Sequence, residues 1–189
     1  MKSYTKVGAL FALVAATACF AQDAVQMPQM PEMPKPQKEH EWLQQLTGEW
    51  ENECEVNMPG MSVMKMKSTE TARLLGGFWL VAEGKGDMMG TPMQTILTLG
   101  YDPEKNKYIG TWVDSVSNYM WKYEGVMDAG GKTLTLSTEG PCPMRGNKIM
   151  KFREVLELKS PNQKTFTSSL QEDDGKWTTM VTINSQRKR

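Results

Sequence analysis

Histidine occurs once in this chain, at position 40, and cysteine three times, at 19, 54 and 142. That scarcity removes whole classes of chemistry. A Ser-His-Asp or Cys-His relay would have to be built on His40, and a zinc site normally draws on several His or Cys ligands. A glycine-rich phosphate loop is missing too, since Gly84-x-Gly86 stands at a strand end with no helical pattern after it. Charge of one sign is also lacking. The 22 basic and 22 acidic residues cancel, and the basic end Gln186-Arg187-Lys188-Arg189 is too short to recruit nucleic acid. Carboxylate pairs such as Asp173-Asp174 fall in turns, where solvation explains them. No residue carries a catalytic signature, so the sequence is read as a non-enzyme, with no cofactor or metal assigned.

Long apolar runs are absent as well. The one candidate, Val7 to Ala18, has twelve residues, too few to cross a bilayer as a helix. With Lys2 and Lys6 before it and Cys19-Phe20-Ala21 after it, the stretch reads as an export signal over residues 1–21. Cleavage there removes two lysines and no acids, leaving a net charge of −2. Ala16-Thr17-Ala18-Cys19 also resembles a lipoprotein signal, in which Cys19 would carry a lipid; Ala16 stands where that pattern usually has leucine. On either reading the domain leaves the cytoplasm, to the periplasm or beyond. An oxidising compartment then makes Cys54 and Cys142 a candidate disulfide, though their spacing alone cannot settle the pairing.

Residues 22–37 read as a tether. Met27-Pro28, Met30-Pro31, Met33-Pro34 and Pro36 place proline every two or three residues, which blocks helix and sheet. Residues 38–189 form the domain. Trp42, Leu43 and Leu46 share one face of a short helix over Lys38–Leu46, which Gly48 can end. From Gly48 the apolar period becomes two. Strands are expected at Glu49–Asn57, Val63–Leu74, Phe78–Gly86, Met93–Tyr101, Lys107–Ser115 and Asn118–Asp128, then at Lys132–Gly140, Lys148–Lys159, Lys164–Gln171 and Lys176–Gln186. Turn residues at Asp102-Pro103, Gly130-Gly131, Ser160-Pro161-Asn162 and Asp174-Gly175 join them at hairpin length. About ten strands with no helix between them describe an all-β, antiparallel up-and-down meander. Closure into a barrel removes its edges, with a two-sheet sandwich as the alternative.

Barrel strands alternate inside and outside. In β-register, Arg153, Val155 and Glu157 share one face, opposite Phe152, Glu154 and Leu156. Mid-strand charges at Glu70, Arg73, Glu83 and Glu124 either face solvent or line a partly polar interior. The aromatics Trp79, Tyr101, Tyr108, Trp112, Tyr119, Trp121 and Tyr123 suit a pocket lining as well as a core. A ligand-holding barrel would use Trp79, Tyr101, Trp112 and Trp121 as lining, with Arg73 or Arg153 as partner for an anionic group.

Gly48-x-Trp50, opening the first strand after a short helix, resembles the signature of the calycins, the lipocalins and fatty-acid-binding proteins among them. The resemblance implies a role for Arg187 packed against Trp50 at the closed end of the barrel. More broadly, His40-x-Trp42-Leu43-x-x-Leu46-x-Gly48-x-Trp50, Gly76-Gly77-x-Trp79, Thr98-Leu99-Gly100-Tyr101-Asp102, Gly110-Thr111-Trp112 and Asp174-Gly175-Lys176-Trp177 resemble the bacterial family called domain of unknown function 1579. This implies a calycin-like barrel and no established activity. Related barrels that hold haem use a histidine within the domain, and none follows His40.

Function is therefore expected to be binding: a small apolar or amphipathic molecule in the barrel, with no nucleic acid, and a membrane only through a lipid on Cys19. Two alternatives stand beside it. One is a ligand-free surface interaction module. The other is copper handling by thioethers, for which Met58, Met61, Met64 and Met66 crowd the first hairpin; adaptable packing explains the same residues.

Overall fold

The computed structural model describes residues 32–58 and 60–189. The export signal over 1–21 and most of the tether lie outside the described residues. The order is α1 (Lys38–Gln44), β1 (Gly48–Val56), β2 (Met64–Leu75), β3 (Trp79–Met88), β4 (Thr91–Asp102) and β5 (Lys107–Asp114). There follow β6 (Trp121–Met127), β7 (Thr133–Cys142), β8 (Lys148–Ser160), β9 (Gln163–Gln171) and β10 (Trp177–Arg187). Each strand pairs antiparallel with its sequence neighbours, and β1 closes on β10. The expected ten-stranded up-and-down barrel is the observed fold, and the sandwich alternative is not.

Turn chemistry fixes these hairpins. Between β3 and β4 only Met89 and Gly90 intervene, both with positive φ (55° and 87°), the pattern whose twist matches that of flanking strands. Before β7, Asp128 accepts hydrogen bonds from the backbone N–H of Lys132 (2.9 Å) and Thr133 (3.0 Å). Those N–H groups hold its carboxyl below the usual range.

Alternation sets the two walls. On β1, Trp50, Asn52 and Cys54 point inward while Glu49, Glu51, Glu53 and Glu55 are exposed. Toward the α1 end the interior is filled by Leu80, Leu99, Leu134 and Leu156, under Trp42, Leu43 and Leu46. Burial of large aliphatic side chains at roughly 1.5–3 kcal/mol each makes this end the main source of stability. His40 sits buried in the same cap: its Nδ1 accepts from the Gln37 N–H at 2.9 Å, and its ring meets Phe78 and Tyr101 edge-on.

Barrel closure rests on Trp50 and Arg187, which face each other across β1 and β10. The guanidinium lies 4.2 Å from the indole centroid. It donates to the carbonyls of Pro161 (2.9 Å), Gln45 (2.8 Å) and Thr47. The indole N–H in turn donates to Leu46 O at 2.9 Å. Gly48, at φ 112°, leaves the space that the guanidinium occupies. Arg187→Ala is expected to lower the unfolding free energy by about 2–4 kcal/mol, because several carbonyls lose a charged donor together. The check is a urea titration with a lower midpoint at unchanged slope. Arg187→Lys should recover little of the loss, since an ammonium cannot offer the planar fork.

Candidate functional site

Beyond the leucine-filled end, the inner wall changes character. Its β8–β9 side carries Glu154, only 5% exposed, whose Oε1 accepts from the Ser168 hydroxyl at 3.0 Å. Glu154 Oε2 has no partner. Burial pushes this carboxyl up to about 8, with the Ser168 hydrogen bond working the other way. Tyr123, on the inner face of β6, is buried as well. Burial raises its phenol first, and the nearby Glu154 adds to the shift. Thr138, on β7 beside Phe152 in register, has an unpartnered buried Oγ1. On β1, Asn52 donates to the Ser68 hydroxyl at 3.3 Å while its Oδ1 has no partner. A fourth such atom, Trp42 Nε1, lies in the cap.

The inner cations are already committed. Lys164 on β9 reaches Glu70 on β2 at 2.5 Å, and its ammonium lies 4.5 Å from the Trp50 ring centroid. Together with Arg187 this places two cations on one indole, at the closed end. Among the described residues no cation pairs with Glu154.

Away from the cap, aromatic rings line the wall. Trp112 and Trp121 are direct cross-strand partners, and Trp121 meets Phe152 (5.0 Å) and Tyr119 (5.1 Å) edge-on. A β-carbon at Gly140 would collide with the Trp121 ring, so glycine there seats the indole. Ser68, Thr95, Trp112 and Trp121 face inward by register yet remain partly exposed, so this end admits solvent. A groove of about 800 Å³ also crosses the outer wall, among exposed Glu51, Glu53, Lys67 and Lys85. Glu53 and Lys67 are paired in register, and these side chains are solvated. Asn52 also borders that groove, but Glu154 and Thr138 do not; they face inward from β8 and β7, which makes the lumen the candidate site.

Of the six residues expected to line a pocket, the structure brings Trp112 and Trp121 together on the lumen. Tyr101 also faces inward but belongs to the cap, edge-on to His40 and Tyr108. Arg73, Trp79 and Arg153 are on the outer wall, a correction to the expected lining. Arg73 is exposed next to inward Ala72, and Trp79 is 40% exposed, lying against Gly100. Arg153 stacks 4.5 Å from the Trp177 ring centroid. The parity of Ala72, Leu80 and Glu154 forces these positions outward, which spares each guanidinium the cost of burial without a partner. Glu154, Thr138, Asn52 and Ser168 were not anticipated as site residues, while Tyr123 belonged to the aromatic cluster noted as a possible lining. The available signal was Glu154 sharing a face with Phe152 and Leu156.

Cys54 and Cys142 are buried and unpaired, a second correction. Cys54 faces Met66 and Ile183 from β1, while Cys142 packs with Met150, Leu170 and Met180. Three strands, β10, β9 and β8, lie between β1 and β7 on the shorter way around the barrel, which accounts for the missing bridge. Of the first-hairpin methionines, Met64 and Met66 face inward beside Cys54, and Met61 is exposed.

The family described as a protein of unknown function, DUF1579, matches residues 35–187. The chain belongs to this family. No curated protein matches the chain. Among solved structures, this DUF1579 barrel is similar to Rv2717c from M. tuberculosis, with a TM-score of 0.59 at 9% identity, covering 82% of this chain and 100% of that one. It is also similar to the S-type phycobiliprotein lyase CPES from Guillardia theta, with a TM-score of 0.52 at 15% identity and coverage of 82% and 99%. Identities this low show a shared fold and nothing more specific. Within that fold, the Trp50–Arg187 contact is the calycin-like feature the sequence implied.

Two outcomes test the DUF1579 lumen as described. Denatured without reductant, the chain without its first 21 residues should titrate as two free thiols against a colorimetric disulfide; none would establish the bridge instead. Glu154 should make stability pH-dependent. Below its ordinary value of 4.5 the carboxyl is protonated in both states. Between there and about 8 the unfolded chain has released the proton and the folded one retains it, so stability falls as pH rises and levels off above that window. Glu154→Gln should therefore gain on the wild type from pH 5 to pH 9, by at most about 4–5 kcal/mol. Denaturant midpoints across that range provide the measurement.

Proposed function

We propose that this chain is an exported binding protein whose lumen holds a small, partly apolar molecule. The observation that carries the reading is the pair of unpartnered buried atoms, Glu154 Oε2 and Thr138 Oγ1, on a wall otherwise made of Phe152, Tyr123, Trp121 and leucines. Apolar walls with a few convergent polar groups are the composition of ligand sites. Leaving such groups without partners costs about 1–3 kcal/mol each, and a ligand's polar group relieves that cost. Residues 1–21 supply the export signal, and a lipid on Cys19 would tether the domain through residues 22–37.

A second reading, a ligand-free interaction module, draws on the outer wall. There Ile96 and Val113 are paired in register and exposed, with Val126 exposed on β6. A titration with the neutral fluorescent probe N-phenyl-1-naphthylamine separates the two. Lumen binding predicts saturable enhancement at one site per chain, with a dissociation constant of about 1–100 µM. Thr138→Leu should weaken it at least fivefold, and Ile96→Lys should leave it unchanged. The reverse pattern would place the probe on the outer wall and favour the interaction module.

A further inference from the structure

The lumen is not merely polar in places; its unpartnered buried atoms, Glu154 Oε2, Asn52 Oδ1 and Thr138 Oγ1, are all oxygens. Asn52 Oδ1 is an acceptor, Glu154 Oε2 becomes one once its carboxyl ionises, and Thr138 Oγ1 accepts as readily as it donates. Three donors near these atoms are already used: the Ser168 hydroxyl by Glu154, the Asn52 amide by Ser68, and the Lys164 ammonium by Glu70. What the wall beside Glu154 lacks, among the described residues, is a positive charge.

The surroundings of Glu154 sharpen this. On β7 the inward neighbours are Leu136 and Thr138, on β9 Ser168, and along β8 Phe152 and Leu156. Tyr123 is the titratable group near it on β6; burial holds its phenol protonated, and Glu154 adds to that shift. Lys164, lower on β9, is bound to Glu70. The aromatic faces and edges of Phe152, Trp121, Trp112 and Tyr123 stand on the adjoining inward positions. A carboxyl beside several aromatic rings is the composition that receives an ammonium group, through a charge-assisted hydrogen bond and attraction to the ring faces.

Resting on the lumen reading above, we infer that the ligand is an organic ammonium ion of modest size, with an apolar or aromatic body, and that Glu154 is its counter-ion. The ammonium donates to Glu154 Oε2 and to Thr138 Oγ1, and its body packs among Trp112, Trp121 and Phe152. Because the resting carboxyl keeps its proton near neutrality, pairing with a cation expels that proton to solvent; the ligand arrives charged, the carboxyl becomes charged, and one proton leaves.

Calorimetric titration of the full chain with three probes of one shape tests this: phenethylammonium, 2-phenylethanol and 3-phenylpropionate. The ammonium should bind at least tenfold more tightly than the alcohol, and the carboxylate least. At pH 7, repeating the ammonium titration in buffers of different ionisation enthalpy should show close to one proton released per ligand, a readout that needs no variant. Glu154→Gln, which keeps shape and removes charge, should reduce ammonium affinity at least tenfold and change alcohol affinity less than twofold. Alcohol binding equal to ammonium binding, or no proton release, overturns the ammonium assignment and leaves the lumen as a binding site. Failure of all three probes and of the neutral naphthylamine overturns both.

Discussion

The contact between Arg187 and Trp50 is what the rest of the structure hangs on. A meander of ten strands has two edges until its first and last strands meet, and an open edge invites pairing with other chains. Here the last inward residue of β10 lies across from the first large inward residue of β1. The guanidinium covers the indole and gathers carbonyls from the segment after α1 and from the β8–β9 turn. One side chain thus ties the cap, the first strand, the last strand and a neighbouring hairpin together. Lys164 adds a second cation at the same ring and carries its charge on to Glu70 across β1 and β10. That end is closed, dense and electrostatically satisfied, so the opposite end is free to be otherwise.

Much of this was legible because a barrel advertises itself twice. Period-two alternation marks the strands, and turn residues mark their ends; the ten expected strands coincide with the observed ones to within about three residues. Asn118–Asp128 illustrates the remaining error. Ser117 to Met120 carry a strand-like composition, yet Ser117 accepts from the Tyr119 N–H in a local turn, and β6 begins only at Trp121. Local side-chain hydrogen bonding outcompeted pairing there, a contest that propensity does not register.

The site was less legible than the fold, and for a definable reason. Alternation separates residues into two sets without naming which set is inside. Arg73, Trp79 and Arg153 drew notice by chemical type, but Ala72, Leu80 and Phe152 beside them decide the parity. Glu154 was noticed only as a member of a face. Its burial depends on which strands flank it, and Leu136 and Ser168 come from elsewhere in the chain. The cysteines were no more legible: two thiols in one domain with an expected export signal suggest a bridge, but strand order around the barrel keeps β1 and β7 apart.

The polar band of the lumen poses an energetic question that packing alone does not answer. A barrel of this size could fill its middle with leucine, as it does beneath α1, and gain stability at each position. Glu154 does the opposite. Its raised proton affinity means that the fold gives up stability at neutral pH to keep a carboxyl that no cation among the described residues reaches. The contrast with Glu70 is instructive, because there a lysine completes the pair within hydrogen-bonding distance. A structural role for Glu154 would be served as well by glutamine or leucine, with less cost in desolvation. A recognition role requires a group that can become charged when its partner arrives and stays neutral until then. A buried carboxyl with one satisfied and one open oxygen, set among aromatic rings, meets that requirement, and neither glutamine nor leucine does.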